Sequence, residues 1–390
     1  MWQKIKNVYH LGIAVLACIY YGFPSRKLRV IAVTGTDGKT TTTSLIYHVL
    51  NNAGYSASMI TSVGAVINGK NYDIGFHVTT PSSFAIQRFL KKASATLPSF
   101  LILEVTSHAL DQNRVWGIDF EVGVITNITH EHLDYHKSYE NYVKTKANLL
   151  KMSKIAVVNR DDKSYSQISN LKFLSPKLVT YGMDDADINP KKFPFKTSLI
   201  GEFNKYNILA AVGVCKSLGL PDDVIRKGIE SFNAPVGRED VVYKKDFTVM
   251  IDFAHTPNAF EQILSSIKPK VKGRLIHVFG SAGARDTSKR PLMGEVSDKY
   301  ADIIILTAED PRKETVGKIT DEIASGVKSK KKILKIPDRK KAIFEAIKMA
   351  KKGDFIIFTG KSHEKSMNYG HGEVAWDEYE IVRRAISDKR

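Results

Sequence analysis

Cysteine is scarce in this chain. Cys18 and Cys215 are the two in 390 residues, and both sit in apolar stretches. That argues against a disulfide framework or a cysteine-built zinc site and points to a reducing compartment. Long apolar runs are also lacking. The N-terminal run Val8–Phe23 would make a helix of roughly 24 Å, short of the about 30 Å of hydrocarbon in a bilayer. No small-residue cleavage site follows it, which argues against a removed signal peptide. There is no internal repeat, no low-complexity tract and no basic stretch interleaved with aromatics of the kind nucleic-acid modules use. Acidic residues are outnumbered, 41 against 58 Lys and Arg, for a net charge of +17. Without a nucleic-acid motif, that charge suits anionic small substrates or an anionic membrane surface. Basic runs such as Lys328–Lys332 and Arg339–Lys341 read as solvated helix faces.

What the chain does have is a phosphate loop. Val30-Ile-Ala-Val-Thr-Gly-Thr-Asp-Gly-Lys-Thr-Thr-Thr-Thr43 is a buried β-branched run, a tight Gly turn, a Lys-Thr pair and then a helix-like segment, Ser44–Asn51. Backbone N–H groups from Gly35, Thr36, Asp37, Gly38, Lys39, Thr40 and Thr41 would cradle phosphate oxygens at a helix N-terminus. Lys39 would neutralise the β/γ-phosphates, and the Thr40 hydroxyl would reach Mg²⁺. The spacing is Gly-x-x-Gly-Lys-Thr, because Val33 takes the place of the usual first glycine. An ordinary β-α turn would not need Gly, Lys and Thr together.

The length allows two domains. Strands are expected at Arg29–Thr34, Ala57–Thr61, Phe100–Val105, Val122–Thr126 and Ile155–Asn159, with helices at Ser82–Lys92 and Tyr139–Leu150. That alternation predicts an α/β fold with a mainly parallel sheet over residues 29–235 and ligands at the strand C-termini, and the phosphate loop marks this part as a P-loop-type central ATPase domain. Gly201 opens a further helix through Leu218, and Gly219 caps it. A second, Rossmann-like α/β domain is expected over 236–390. Its strands are Val249–Phe253, Arg274–Phe279, Ile303–Thr307, Lys332–Ile336 and Phe355–Thr359. Residues 1–28 form an apolar segment open to three readings: a helix packed on the next domain, a helix lying in a membrane interface, or a span.

Further motifs follow in order: Thr79-Thr-Pro81, Glu104-Val-Thr-Ser-His108, Asn127-Ile-Thr-His-Glu-His-Leu-Asp-Tyr-His136, Tyr142-Val-Lys-Thr-Lys146, Gly201-Glu-Phe-Asn204, Asp252-Phe-Ala-His-Thr-Pro257, Lys289-Arg-Pro-Leu-Met293 and Lys361-Ser-His-Glu364. Together with the loop, this order resembles the Mur ligase family. Its nearest branch is the one that adds the third residue to the peptidoglycan peptide. The resemblance implies an ATP-dependent amide ligase of cell-wall precursor synthesis. In such an enzyme a peptide carboxylate becomes an acyl phosphate, and an amine displaces the phosphate. A carboxylate is a poor electrophile until one oxygen is phosphorylated, so the task is positioning and charge neutralisation.

Carried over by that resemblance, Lys39, Glu104, His132 and Lys146 are the catalytic candidates. Thr40, Glu104, His132 and Lys146 (as a carbamate) are the Mg²⁺ candidates. A strand-end carboxylate such as Glu104 is a hard oxygen ligand, although an ion pair with a lysine would also suit it. His132 and His136, four apart, mimic a zinc pair only weakly. Lys144 would point away from Lys146 on a helix. Asn127, Asn204, Asn207 and Arg285 are expected at the nucleotide, with Ala284 where the family has Asp. A helix cap for Asn204 and a surface charge for Arg285 are the plain alternatives. Thr79, Thr80, Thr106, Gln112 and Arg114 are expected to touch a muramyl peptide, Arg114 through paired hydrogen bonds to a carboxylate. Arg290, Asp310, Arg312, Lys361 and Glu364 are expected to grip the incoming amino acid. Glu309-Asp-Pro-Arg312 resembles the family's Asp-Asn-Pro-Arg signature for meso-diaminopimelate, but both leading residues are acidic and Ser362 replaces a usual Gly. Lysine therefore stays open, and so does an internal salt bridge for Arg312.

The expected cofactors are ATP and Mg²⁺. The expected partners are a UDP- or lipid-linked muramyl peptide and a diamino acid, with no nucleic acid. Family members carry a separate N-terminal domain for the uridine diphosphate, whereas here about 28 apolar residues precede the loop strand. This raises the expectation of a cytoplasmic monomer at the inner face of the membrane. Competing readings are a folylpolyglutamate synthetase-like or MurT-like amide synthase, and a non-catalytic, membrane-associated nucleotide-binding protein.

Overall fold

The computed structural model describes residues 2–96, 99–129, 131–171, 177–329 and 332–389. His130 of the histidine motif and Lys330 and Lys331 of the basic run lie outside the described residues. Two compact units emerge: Met1–Thr129, His136–Ser198 and Phe203–Asn233 form the first, and His130–Tyr135, Leu199–Glu202 and Ala234–Arg390 the second.

The first unit is built on eight strands: β1 (Arg29–Thr34), β2 (Ser56–Thr61), β3 (Gly64–Ile67), β4 (Lys70–Tyr72), β5 (Ser99–Glu104), β6 (Phe120–Ile125), β7 (Ser153–Asn159) and β8 (Lys177–Tyr181). Their order is β4-β3-β2-β5-β1-β6-β7-β8. The run from β2 to β8 is parallel, and β3 and β4 add an antiparallel edge. Every residue of β5 is buried, as is every residue of β1 after Arg29. Strands covered on both faces read as unbroken apolar runs, so these were legible in the sequence. The β3–β4 hairpin was not anticipated, although its turn, Asn68-Gly69 at φ 49° and 77°, carries the residues that a tight primed turn requires.

Three helices shape the loop and the N-terminus: α1 (Trp2–Tyr21), α2 (Lys39–Asn52) and α3 (Ser83–Ala93). Helix α2 begins five residues before the expected start, so Lys39 and the Thr40–Thr43 run form its first turns. Four successive β-branched residues are mediocre helix formers. All four are buried, so packing holds this turn rather than propensity. Helix α1 packs on α3 through buried Ala14, Ala17 and Cys18. The Cys18 thiol donates to the Trp116 carbonyl and accepts from Gln87 Nε2. Gly117 (φ +74°) leaves room for that thiol, since a Cβ there would lie 2.8 Å from it. Helix α1 thus packs on the unit, as the first of the three readings has it. Among the described residues no helix is long and apolar enough to cross a membrane.

The second unit carries β9 (Asp240–Lys244), β10 (Thr248–Asp252), β11 (Leu275–Phe279), β12 (Ile303–Leu306), β13 (Ile333–Lys335) and β14 (Phe355–Thr359), in the order β13-β12-β11-β14-β10-β9. All pairings are parallel except the β9 edge. A small hairpin, β15 (Ser366–Asn368) and β16 (Glu373–Ala375), stands apart from the sheet. His277 lies fully buried in this core, between Ser297 and Thr359 hydroxyls at 2.9 and 3.0 Å. Burial lowers its pKa to about 3.

Candidate active site

The parallel pairing of β1 with β5 sets Val33 beside Glu104. Both strands then end at the phosphate loop. Val33 is a buried strand residue, so the loop spans less chain than the longer spacing and needs no glycine there. Gly35 and Gly38 are required for a different reason. A Cβ on Gly35 (φ +150°) would fall 1.8 Å from Thr126 Oγ1, and one on Gly38 (φ +80°) 2.1 Å from Asn207 Oδ1. Asn127 clamps the loop: its Oδ1 accepts from Asp37 N–H and its Nδ2 donates to the Asp37 carbonyl. Lys39 Nζ donates to the Thr36 carbonyl at 2.7 Å, inside the same turn.

Glu104 is 1% exposed, and its Oε2 accepts from Thr40 Oγ1 and from Ser62 N–H, both at 3.0 Å. The Ser62 hydroxyl lies 3.1 Å from Thr40 Oγ1. A carboxylate and two hydroxyls converge here beside the loop, an all-oxygen donor set that suits a hard divalent cation such as Mg²⁺. Ser62 was missed in the sequence. Its position, one residue past the C-terminal end of β2, was the available signal.

The helix Tyr139–Lys151, capped by Ser138, turns Lys146 inward and Lys144 outward. Lys146 is 1% exposed, donates to the Gly35 carbonyl at 2.7 Å and sits over the Tyr142 ring. The Tyr142 hydroxyl lies 3.3 Å from Thr36 Oγ1, and Thr129 N–H donates to that same oxygen. His136 is a buried histidine on Ser107 Oγ. Burial, aided by the Lys146 charge, lowers its pKa to about 4. His132 belongs to the other unit and has a left-handed backbone, φ 55°.

Asn204 and Asn207 are buried in the first turns of the helix Glu202–Ser217, linked by an amide hydrogen bond, and Asn207 Oδ1 accepts from Thr42. Asn204 is therefore inside the helix rather than its cap. On the far side of β5, Thr80 Oγ1 donates to the Glu104 carbonyl and accepts from Thr106 N–H. Arg114 donates through Nη1 to the Thr80 carbonyl and through Nε and Nη2 to Gln112 Oε1. Thr80, Thr106, Gln112 and Arg114 thus form one wall, with half-buried Thr79 next in the chain.

The second unit gathers the remaining candidates. Lys361, fully buried, donates to both Asp310 oxygens at 3.0 and 3.1 Å and to Glu364 at 2.7 Å. Arg312 Nη1 donates to the Gly283 carbonyl at 3.3 Å, and Asp310 pairs with Lys361, so the alternative reading of Arg312, an internal salt bridge to Asp310 or Glu309, is not formed among the described residues. Arg290 is occupied: it is fully buried and donates to Glu314, Glu322 and the Ala282 carbonyl. Desolvation and the like charge of Arg312 lower the Arg285 pKa, while Asp134, Glu131 and Asp310 raise it. Glu131 pairs with Lys289 at 3.1 Å. Ala284, Asp310, Arg312 and Ser362 all hold positive φ, from 42° to 52°. Such strain gathers at functional sites, and a glycine at position 362 would relieve it.

A parallel sheet ending in a phosphate loop, with a strand-end carboxylate, is the frame of a nucleotide-dependent transferase or ligase. Comparison with known proteins makes the class specific. Residues 33–215 match the Mur ligase middle domain, and 237–362 the Mur ligase glutamate ligase domain. A UDP-N-acetylmuramoyl-L-alanyl-D-glutamate–2,6-diaminopimelate ligase of Aquifex aeolicus is 38% identical over 94% of this chain and 79% of its own. A UDP-N-acetylmuramyl-tripeptide synthetase of Roseiflexus is 36% identical over 99% and 83%. A solved diaminopimelate ligase of the same description superposes with a TM-score of 0.60 at 29% identity, covering 93% of this chain and 79% of that one. The E. coli FolC structure with DHPP and ADP shares the fold, with a TM-score of 0.72 at 19% identity over 90% of each chain. The chain belongs to the Mur ligase family. Within it, the chain is an ATP-dependent ligase of the branch to which the diaminopimelate ligases and tripeptide synthetases belong.

Proposed function

We propose that the chain joins a diamino acid, foremost meso-diaminopimelate, to the free carboxylate of a muramoyl-L-alanyl-D-glutamate acceptor. The observation that carries this is the Thr40–Glu104 pair at the phosphate loop, where a hydroxyl and a buried carboxylate meet 3.0 Å apart. The acceptor carboxylate attacks the γ-phosphorus, the bond to the β-bridging oxygen breaks and ADP leaves. The donor amine then attacks the acyl carbon, loses a proton and expels phosphate. Lys39 and the loop N–H groups offset phosphate charge. Asn127 keeps the loop in register through its two hydrogen bonds to Asp37. Asn204, Asn207 and Arg285 are the nucleotide contacts of this reading. Thr79, Thr80, Thr106, Gln112 and Arg114 receive the peptide. Thr40 and Glu104, with His132 and carbamylated Lys146, would hold Mg²⁺, which when bound neutralises oxygen charge on the phosphates.

Arg290, Asp310, Arg312, Lys361 and Glu364 serve the amino acid in this reading. Arg290 does so through its partners, because Glu314 and Glu322 already occupy it. A second reading, lysine as donor, is favoured by one observation: Glu309 and Asp310, both acidic, lead the motif that ends in Arg312, where the family signature has Asp and Asn. In either reading the domain boundary falls near residue 235, and the protein acts as a monomer on the cytoplasmic side of the membrane.

Phosphate release from ATP is the test. It should require both a muramoyl dipeptide and a diamino acid, and an amino-acid screen with UDP- and lipid-linked acceptors identifies the pair. Release without either substrate, or ATP binding without turnover, would contradict the reading. Lys146→Ala should be inactive and regain activity with a short-chain carboxylate; full activity without rescue removes the carbamate.

A further inference from the structure

Helix α1 has two apolar faces, and the unit covers one of them. Ala14, Ala17 and Cys18 are buried against α3 and the segment around Trp116. The outward face carries Val8, Tyr9, Leu16, Ile19 and Tyr20, each more than half exposed. Gly12 lies between them on the same face, and no charged residue interrupts it. Phe84 of α3 extends the patch, with its ring 6.2 Å from Tyr20 and 6.4 Å from Tyr21. A contiguous apolar face of this kind on a globular unit marks an interaction surface.

The chain on both sides of the patch is rich in basic residues. No Asp or Glu precedes Asp37 in the chain. Lys6 stands at one end of the outward face, and Arg26 and Lys27, both exposed, follow the other. Arg88, Lys91 and Lys92 line the exposed side of α3. Asp111 meets α1, where it accepts from Asn7.

We propose that the outward face of α1 docks on an anionic lipid surface, with the helix lying flat in the interface. A helix packed along the unit presents its side and not its end. A protein partner of ordinary mixed charge would leave these basic residues unmatched, whereas anionic headgroups match all of them. Tyr9 and Tyr20, near the two ends, have the amphipathic rings that settle at headgroup level. The proposal extends the ligase reading without depending on the chemistry, so flotation can fail while turnover persists.

The test is flotation of the full chain with phosphatidylglycerol-containing vesicles and with neutral phosphatidylcholine vesicles. The intact protein should float with the anionic vesicles at low salt and be released at high salt. Leu16→Ser with Ile19→Ser changes two exposed side chains and should melt like the parent. Its floated fraction should fall roughly tenfold or more, because binding scales with buried apolar area. Arg88→Glu with Lys91→Glu should weaken binding without touching α1. Equal flotation of either variant and the parent would overturn the proposal, as would a parent that stays with the soluble fraction. So would a dimer, seen by light scattering and broken by the serine pair, in a parent that does not float.

Discussion

Glu314 holds Arg290 and the loop before it at the same time. Its Oε1 accepts from Arg290 Nη2 at 3.0 Å and from Ala284 N–H at 2.7 Å, while Oε2 accepts from Arg290 Nη1 at 3.1 Å. These bonds, led by that of Arg290, lower the Glu314 carboxyl to about 2. Ala284 stands in the left-handed region where the family has Asp, and the next residue is Arg285. Glu314 therefore fixes the segment that presents Arg285. Glu314→Gln should cost on the order of 1–3 kcal/mol, since Arg290 keeps Glu322 but loses a charged partner. Its KM for ATP should rise more than its kcat falls. An unchanged melting midpoint would show that the pair contributes nothing.

Most of the first unit was legible because its central strands are covered on both faces and bounded by turn residues. What escaped was set by tertiary contact. Helix α2 starts at Lys39 because buried threonines pack there, which no propensity signals. Ser62 joins Thr40 and Glu104 only once β2 lies beside β5. Arg290 shows the opposite limit. Its motif placed it at the amino acid, and the fold surrounds it with two glutamates whose positions, 24 and 32 residues on, carry no pattern that announces the pairing.

Gly38 provides a direct test of the loop. Its φ of +80° and the 2.1 Å gap to Asn207 Oδ1 leave no room for a methyl group. Gly38→Ala should displace the Asn204–Asn207 pair and lower kcat by roughly a hundred- to a thousandfold, the scale of losing oriented donors to a charged transition state. Wild-type turnover would show that the loop is not where the phosphates bind.

Lys361 joins two carboxylates in a buried setting. Lys361→Met would leave Asp310 and Glu364 without their shared cation and should destabilise by roughly 3–5 kcal/mol. Asp310→Asn is milder, because the amide oxygen still accepts from Lys361. It also restores the Asn of the family signature, so it should shift preference from lysine towards diaminopimelate. Arg312→Ala should raise KM for the amino acid far more than KM for ATP. An unchanged ratio of the two donors in Asp310→Asn would detach that residue from specificity.

Glu309 and His277 set opposing pH slopes in the second unit. Burial raises the Glu309 carboxyl to about 7, and its Oε2 has no hydrogen-bond partner among the described residues. A carboxyl whose folded pKa lies above its unfolded value of 4.5 contributes stability below 4.5. That contribution is lost as pH rises towards 7. His277 acts the other way. Its folded pKa of about 3 lies below 6.5, so the unfolded chain binds the proton first and stability falls as pH drops through that interval. Each group changes stability by about 1.4 kcal/mol per pH unit where it acts alone, so between 4.5 and 6.5 the two nearly cancel. Glu309→Gln removes one of them. At pH 8 the variant should be more stable than the parent by up to about 3 kcal/mol, less whatever its buried amide leaves unpaired. The advantage should shrink steadily below pH 7 and level off below 4.5, where the parent carboxyl becomes protonated in both states. Thermal midpoints of both proteins from about pH 8 to about pH 4.5 measure this. A difference that stays constant across the range would mean that Glu309 does not titrate with folding.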